Sequence, residues 1–147
     1  MNKVICPVSS ERIQAHLPRV TAFFVVSSIL TYVITGWSVI LIFLLADFAA
    51  RATNNGKFSI IFQLAVFTSK ALNLKSSAID KAPKVFAARL GALMFLGATI
   101  LHLTGLTEAA YIITLLVAIL ASLECAFNFC VGCVIYSAIV FPFFAKQ

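Results

Sequence analysis

Residues 20–34 form an unbroken run of apolar and hydroxyl-bearing side chains, and after Thr35-Gly36 a second run extends over residues 37–50. Such runs have few folded solutions, because a helix that is apolar all round needs apolar surroundings on every side. Two further runs follow at 85–103 and 108–127. The charged residues, eleven Lys and Arg and five Asp and Glu, are mostly gathered between the runs or near their ends rather than spread over a surface. With 62% of its 147 residues hydrophobic and 14 of them Phe, the chain is too apolar for a soluble core of this size, and a bilayer is the solvent that fits it. The net charge of +6 then belongs to membrane edges, and no basic stretch interleaved with aromatics points to nucleic acid.

The fold expected is an all-α integral membrane protein, a single domain over 1–147, with four transmembrane helices in two hairpins and an interfacial amphipathic helix. The spans fall at about 12–34, 37–51, 85–103 and 108–127. The first two runs are shorter than the roughly 20 residues that cross a ~30 Å hydrocarbon layer. The first span therefore reaches back toward Ser10, bending at Pro18 with Arg19 snorkelling, and the second continues through Arg51. Gly36 turns the first hairpin and residues 102–107 turn the second. Over 58–74, Ser59, Gln63, Lys70 and Asn73 fall within about 80° of one another on a helical wheel. Ile61, Leu64, Ala65, Ala71 and Leu72 lie opposite, the pattern of a helix resting in the interface. Residues 130–144 are a further apolar segment, either a continuation or a re-entrant piece.

The first nineteen residues contain Lys3, Glu11, Arg12 and Arg19 with Pro7 and Pro18, and no small-residue cleavage site closes a short apolar core there. The segment is expected to be retained. Lys3, Arg12 and Arg19 precede the first span, seven Lys and Arg from Arg51 to Arg89 lie between or at the edges of spans two and three, and Lys146 lies near the end. The two hairpin connections have none. The positive-inside rule then places the N-terminus and middle segment in the cytoplasm of a multi-pass protein of an inner or plasma membrane.

The residues with chemistry to offer are Cys130 and Cys133 of Phe129-Cys130-Val131-Gly132-Cys133. This spacing puts two thiols about 60° apart around a helix axis, within reach of a disulfide or a shared metal, and in redox proteins it lowers the pKa of the leading thiol. A helix starting at Phe129 or Cys130, capped by Asn128, would stabilise a Cys130 thiolate through its unpaired N–H groups. The topology brings Cys6, Cys125, Cys130 and Cys133 to one face, where a reducing cytosol disfavours a permanent disulfide. Cys130 and Cys133 are the expected catalytic thiols, with Cys6 as attacking or resolving thiol. Glu124, an acid late in an apolar span, is the nearest proton acceptor or a partner for Arg51 or Arg89.

The four cysteines also match the ligand number of zinc, although Cys125 projects about 140° from Cys130 unless the helix breaks near Asn128. Asp47 and Arg51, at i and i+4, form a structural ion pair at the end of span two. His102 and Glu108 read as a solvated pair near the second connection. No Ser-His-Asp arrangement, phosphate-binding loop, dinucleotide fingerprint or His-rich motif is present, which narrows any enzyme to thiol chemistry. No cofactor follows from the sequence, zinc and quinone being the two that membrane thiols leave open.

Cys6-Pro7, Asp47 with Arg51, the stretch Ala82-Pro83-Lys84-Val85-Phe86-Ala87-Ala88-Arg89-Leu90-Gly91, and Glu124 followed by Phe129-Cys130-Val131-Gly132-Cys133-Val134-Ile135-Tyr136 together run through nearly the whole chain. In these the chain resembles a family of small integral membrane proteins catalogued as domain of unknown function 4395. Asn128 stands where the family more often has Gly. The resemblance implies a compact multi-span fold and points to Cys6, Cys130 and Cys133 as characteristic thiols. It implies no reaction, because the family has no settled activity.

Three functions remain open. The leading expectation is a membrane thiol-redox or sulfur-handling protein that works through a mixed disulfide and needs a thioredoxin-like or rhodanese-like partner. The second is a transporter or channel component for a small sulfur compound, which at four spans would be a homo-oligomer. The third is a structural membrane protein with a cysteine zinc site.

Overall fold

Pro18 fixes where the first long helix begins. In the computed structural model, which describes residues 12–53, 55–75 and 78–144, helix α1 spans Leu17–Thr35 and Pro18 occupies its first turn. A proline there loses nothing, since its missing N–H is one of the donors a helix start leaves unpaired. The expected helix from residue 12 with a bend at Pro18 is therefore corrected. Arg12–Gln14 is instead a strand, β1, paired antiparallel with β2, Ala78–Asp80, in the register Arg12↔Asp80, Ile13↔Ile79 and Gln14↔Ala78. The all-α expectation gains a two-stranded ribbon, whose pairing across more than sixty residues leaves no local trace in hydropathy.

α1 ends at Gly36, whose φ of 68° lets its N–H turn back to Tyr32 O at 2.7 Å. Helix α2, Ser38–Ala52, follows at once. A 3₁₀ turn, Gly56–Phe58, leads into α3, Ile60–Ala71, whose N-cap Ser59 accepts the Phe62 N–H. Helices α4, Ala82–Leu103, and α5, Thr107–Phe127, form the second hairpin. Beyond it a short helical leg runs through α6, Val131–Ile135, a π-helical turn, Tyr136–Val140, and α7, Phe141–Phe144.

α2 packs on α4, α1 on α5, α4 on α5, α3 on α1, and α6 on α4. Val25, Ile29 and Tyr32 of α1 meet Leu41 and Leu44 of α2, Ile61 of α3, Phe95 of α4 and Val117 of α5 in the core. The contact of α2 with α4 is close because Gly91 has no Cβ; one built there would lie 2.5 Å from the Phe48 ring. The outer faces stay apolar: Phe23, Leu30, Ile42, Leu93, Ile100, Ile112 and Ile119 are all exposed. Among the described residues α1, α4 and α5 are long and apolar enough to cross a membrane, whereas α2 has 15 residues.

Two arginines show how the hairpins lie together. Arg19, early in α1, donates to Cys125 O near the end of α5 at 3.1 Å, and Arg89 of α4 donates to Ala52 O at the end of α2 at 3.1 Å. Each cation meets carbonyls that a helix end leaves unpaired, and the negative end of the macrodipole. At the opposite end of the bundle the Tyr32 hydroxyl and His102 Nδ1 are hydrogen-bonded at 2.9 Å, with the Tyr111 ring 5.3 Å from Tyr32. His102 is thus a helix residue bound across the bundle, not half of a solvated loop pair.

α3 is shorter than the expected 58–74. It rests on α1 through Ile61, Ala65 and Ser69, one residue per turn, and Ser59 is buried rather than wetted. Leu64 and Leu72, on the expected apolar face, do not pack against the bundle and are exposed.

Candidate functional site

The thiols sit where α5 stops. Asn128 takes a φ of 55°, its N–H donates to Glu124 O at 3.1 Å, and the Phe129 N–H reaches back to Leu123 O at 3.4 Å. That is a left-handed helix stop, which suits Gly or Asn. Asn128 therefore closes α5 rather than capping α6. The cap of α6 is Cys130 itself, in an extended conformation, with Sγ accepting the Cys133 N–H at 3.4 Å. Glycine then sets the depth of α6: a Cβ on Gly132 would lie 2.6 Å from Ala87 Cβ and 2.9 Å from Ala87 Cα.

This approach brings the cysteines to the first turns of α4, where Lys84 donates Nζ to Glu124 Oε1. Glu124 is therefore engaged by Lys84, not by Arg51 or Arg89. The two thiols divide their protons unequally. The hydrogen bond from the Cys133 side chain brings the Cys130 thiol down to about 7; the Lys84 charge and the Cys133 N–H assist, while burial and the Glu124 carboxylate oppose. Cys133 moves up, because it gives that same hydrogen bond and is partly buried. Cys130 is thus the more acidic of the two thiols and Cys133 the one that holds its proton more firmly.

Asp47 and Arg51 lie nearby but make a clamp rather than a reactive pair. Asp47 is 4% exposed; its Oδ2 takes Arg51 Nη2, and its Oδ1 takes the Ser59 hydroxyl at 2.7 Å and the Ile61 N–H at 3.1 Å. Arg51 Nε also donates to Ser59 Oγ at 3.1 Å, and the guanidinium stands 4.9 Å over the Phe48 ring. The end of α2 is thereby bolted to the start of α3.

A cavity of about 660 Å³ opens among α1, α2, α4, α5 and α6. Val25, Phe48, Met94, Val117 and Leu120 line its apolar part, and Arg51, Lys57, Lys81, Lys84, Glu124 and Cys130 line its polar part. Cys133 is not in the lining.

Cys130, Cys133 and Glu124 are thus brought into one neighbourhood, with Cys125 on α5 beyond the corner at Asn128. Cys6 lies outside the described residues. Among the described residues no group of three or more His, Cys, Asp or Glu is placed to hold a metal ion. Sequence reasoning missed Lys84 as the partner of Glu124, because the two are forty positions apart, and it missed Gly132 as the contact that seats α6. The Gly inside the cysteine motif was the available signal for the second.

The model of the family described as Domain of unknown function (DUF4395) matches residues 13–140. No curated protein and no solved structure matches the chain.

Proposed function

The chain belongs to the DUF4395 family, and we propose that it is a membrane thiol-redox or sulfur-handling protein in which Cys130 attacks and Cys133 resolves. The observation that carries this reading is the placement of Cys130 Sγ on the Cys133 N–H at the start of α6, beside the Lys84–Glu124 pair, an arrangement that favours ionisation of the first thiol over the second. In the redox form, the Cys130 thiolate attacks one sulfur of a partner disulfide, joining the two proteins and expelling the partner's thiolate, which takes a proton. Cys133 then gives its proton to Glu124 or to water, bonds to Cys130 sulfur and expels the second partner thiolate. The partner gains two electrons and the chain gains a disulfide; the reverse run oxidises the partner. A thioredoxin-like protein suits the electron form and a rhodanese-like protein the sulfur-carrying form. Cys6 is the candidate third thiol.

The same reading sets α1, α2, α4 and α5 as four spans in two hairpins, with α3 at the interface and the thiols at the cytoplasmic face. Its support is the charge: Arg19, Arg51, Lys57, Lys84 and Arg89 all lie toward the end of the bundle that holds Cys130, where the positive-inside rule wants them. Alkylation trapping of membranes after oxidant and after reductant tests the redox form. Cys130 and Cys133 should pass together from two alkylated thiols to none; if they stay alkylated under every condition, the redox form is wrong.

A further inference from the structure

We infer that the cavity beside Cys130 is a binding site for an amphiphilic anion, whose apolar part lies among α1, α2, α4 and α5 and whose carboxylate or phosphate head meets Lys57 and Lys84. Thiol exchange with a protein partner needs no such ligand, so the inference does not depend on that reading.

Size comes first: about 660 Å³ lies inside the ~300–1,000 Å³ range of small-molecule sites, which are mostly apolar with a few convergent polar groups. The distribution of those groups is uneven. Met94, Val117 and Leu120 offer nothing polar to a ligand, so a sugar or a free amino acid would lose its water there without replacement. At the polar part the cations come from separate elements, Arg51 from the end of α2, Lys57 from the 3₁₀ turn, Lys81 and Lys84 from the start of α4, and Glu124 is the one carboxylate among the described residues of the lining. Glu124 is engaged by Lys84 and Arg51 by Asp47, whereas Lys57 makes no ion pair with a described residue. The start of α4 adds the positive end of its dipole. The lining thus carries more positive than negative charge at the mouth of an apolar cavity, and an anionic head is its complement. Because Cys130 shares this lining, an occupant stands between its sulfur and any reagent arriving through the cavity.

The test uses the full chain in phosphatidylcholine nanodiscs and uncharged monobromobimane, with Cys130 labelling read by peptide mass spectrometry. Tetradecyl phosphate should slow labelling of Cys130 saturably, at concentrations about tenfold below those at which tetradecanol acts, and inorganic phosphate should give no protection. Lys57→Gln, a change on an exposed turn, should weaken tetradecyl phosphate about tenfold and leave tetradecanol unchanged. Met94→Trp, which fills the cavity, should abolish protection while Cys130 still labels. Equal protection by tetradecanol, protection by inorganic phosphate alone, or none by any of the three would overturn the inference. Protection in a protein whose thiols never change redox state would leave the inference standing and remove the thiol-redox reading instead.

Discussion

Replacing Cys133 by Ala removes the side-chain donor that holds Cys130 at about 7, and the pH profile of Cys130 should report the loss. With a pKa of about 7, half of Cys130 is thiolate at pH 7, whereas a thiol at the ordinary value of ~8.5 is only about 3% ionised there. In the variant the backbone N–H of residue 133 and the Lys84 charge persist, but burial and Glu124 still oppose ionisation. The midpoint should therefore return to about 8.5 or above. The thiolate fraction at pH 7 then falls about 16-fold, but a thiolate of higher pKa is intrinsically more nucleophilic, by about fivefold for a Brønsted coefficient of ~0.4–0.5. The net expectation is alkylation about threefold slower at pH 7 and about fivefold faster above pH ~10, so the two profiles cross. Iodoacetamide rates at Cys130 from pH 5.5 to 10, in a chain carrying Cys6→Ala and Cys125→Ala, would show the crossing. Superimposed profiles for the two proteins would refute the assignment of Cys133 as the group that sets Cys130.

Gly132→Ala places a methyl against Ala87 backbone and side chain, and should lift α6, cost about 1–3 kcal/mol of stability and move the Cys130 midpoint upward; thermal unfolding in nanodiscs and the alkylation profile check both. Asn128→Gly should be tolerated and Asn128→Ala should cost about 1–2 kcal/mol, because only the second side chain resists the left-handed conformation. The order of the two melting temperatures decides this. Asp47→Ala leaves Arg51 without its carboxylate and the Ile61 N–H without its acceptor, and is expected to destabilise by about 3–5 kcal/mol. A melting temperature like that of the parent would show the clamp to be idle.

What the sequence made legible was set by the range of the interaction involved. The long apolar runs at 85–103 and 108–127 need no partner to be seen, and helices α4 and α5 lie over them. Pro18 was ambiguous by its chemistry: a proline serves a bend or a first turn, and the pairing of β1 with a strand more than sixty residues away selected the first turn by ending the extended chain at Gln14. Asn128 was ambiguous in the same way, since asparagine caps helix starts and also takes the left-handed stop. The glycine that the family more often carries there was the clue that favours the stop. Asp47 and Arg51 share one helix face and are found by counting four, but Ser59 joins them from a separate helix start. Lys84 reaches Glu124 only through the packing of α4 on α5, which no local pattern announces.

Length shows what the stop at Asn128 decides. A continuous helix over residues 107–140 would measure about 51 Å at ~1.5 Å per residue, far more than the ~30 Å hydrocarbon layer takes up. An overlong apolar rod must tilt or push its surplus turns into water. Reversing the sign of one backbone angle at Asn128 converts that surplus into a second, short leg folded back over α4. The position of both sulfurs along the axis of α5 is thereby set by the handedness of a single residue.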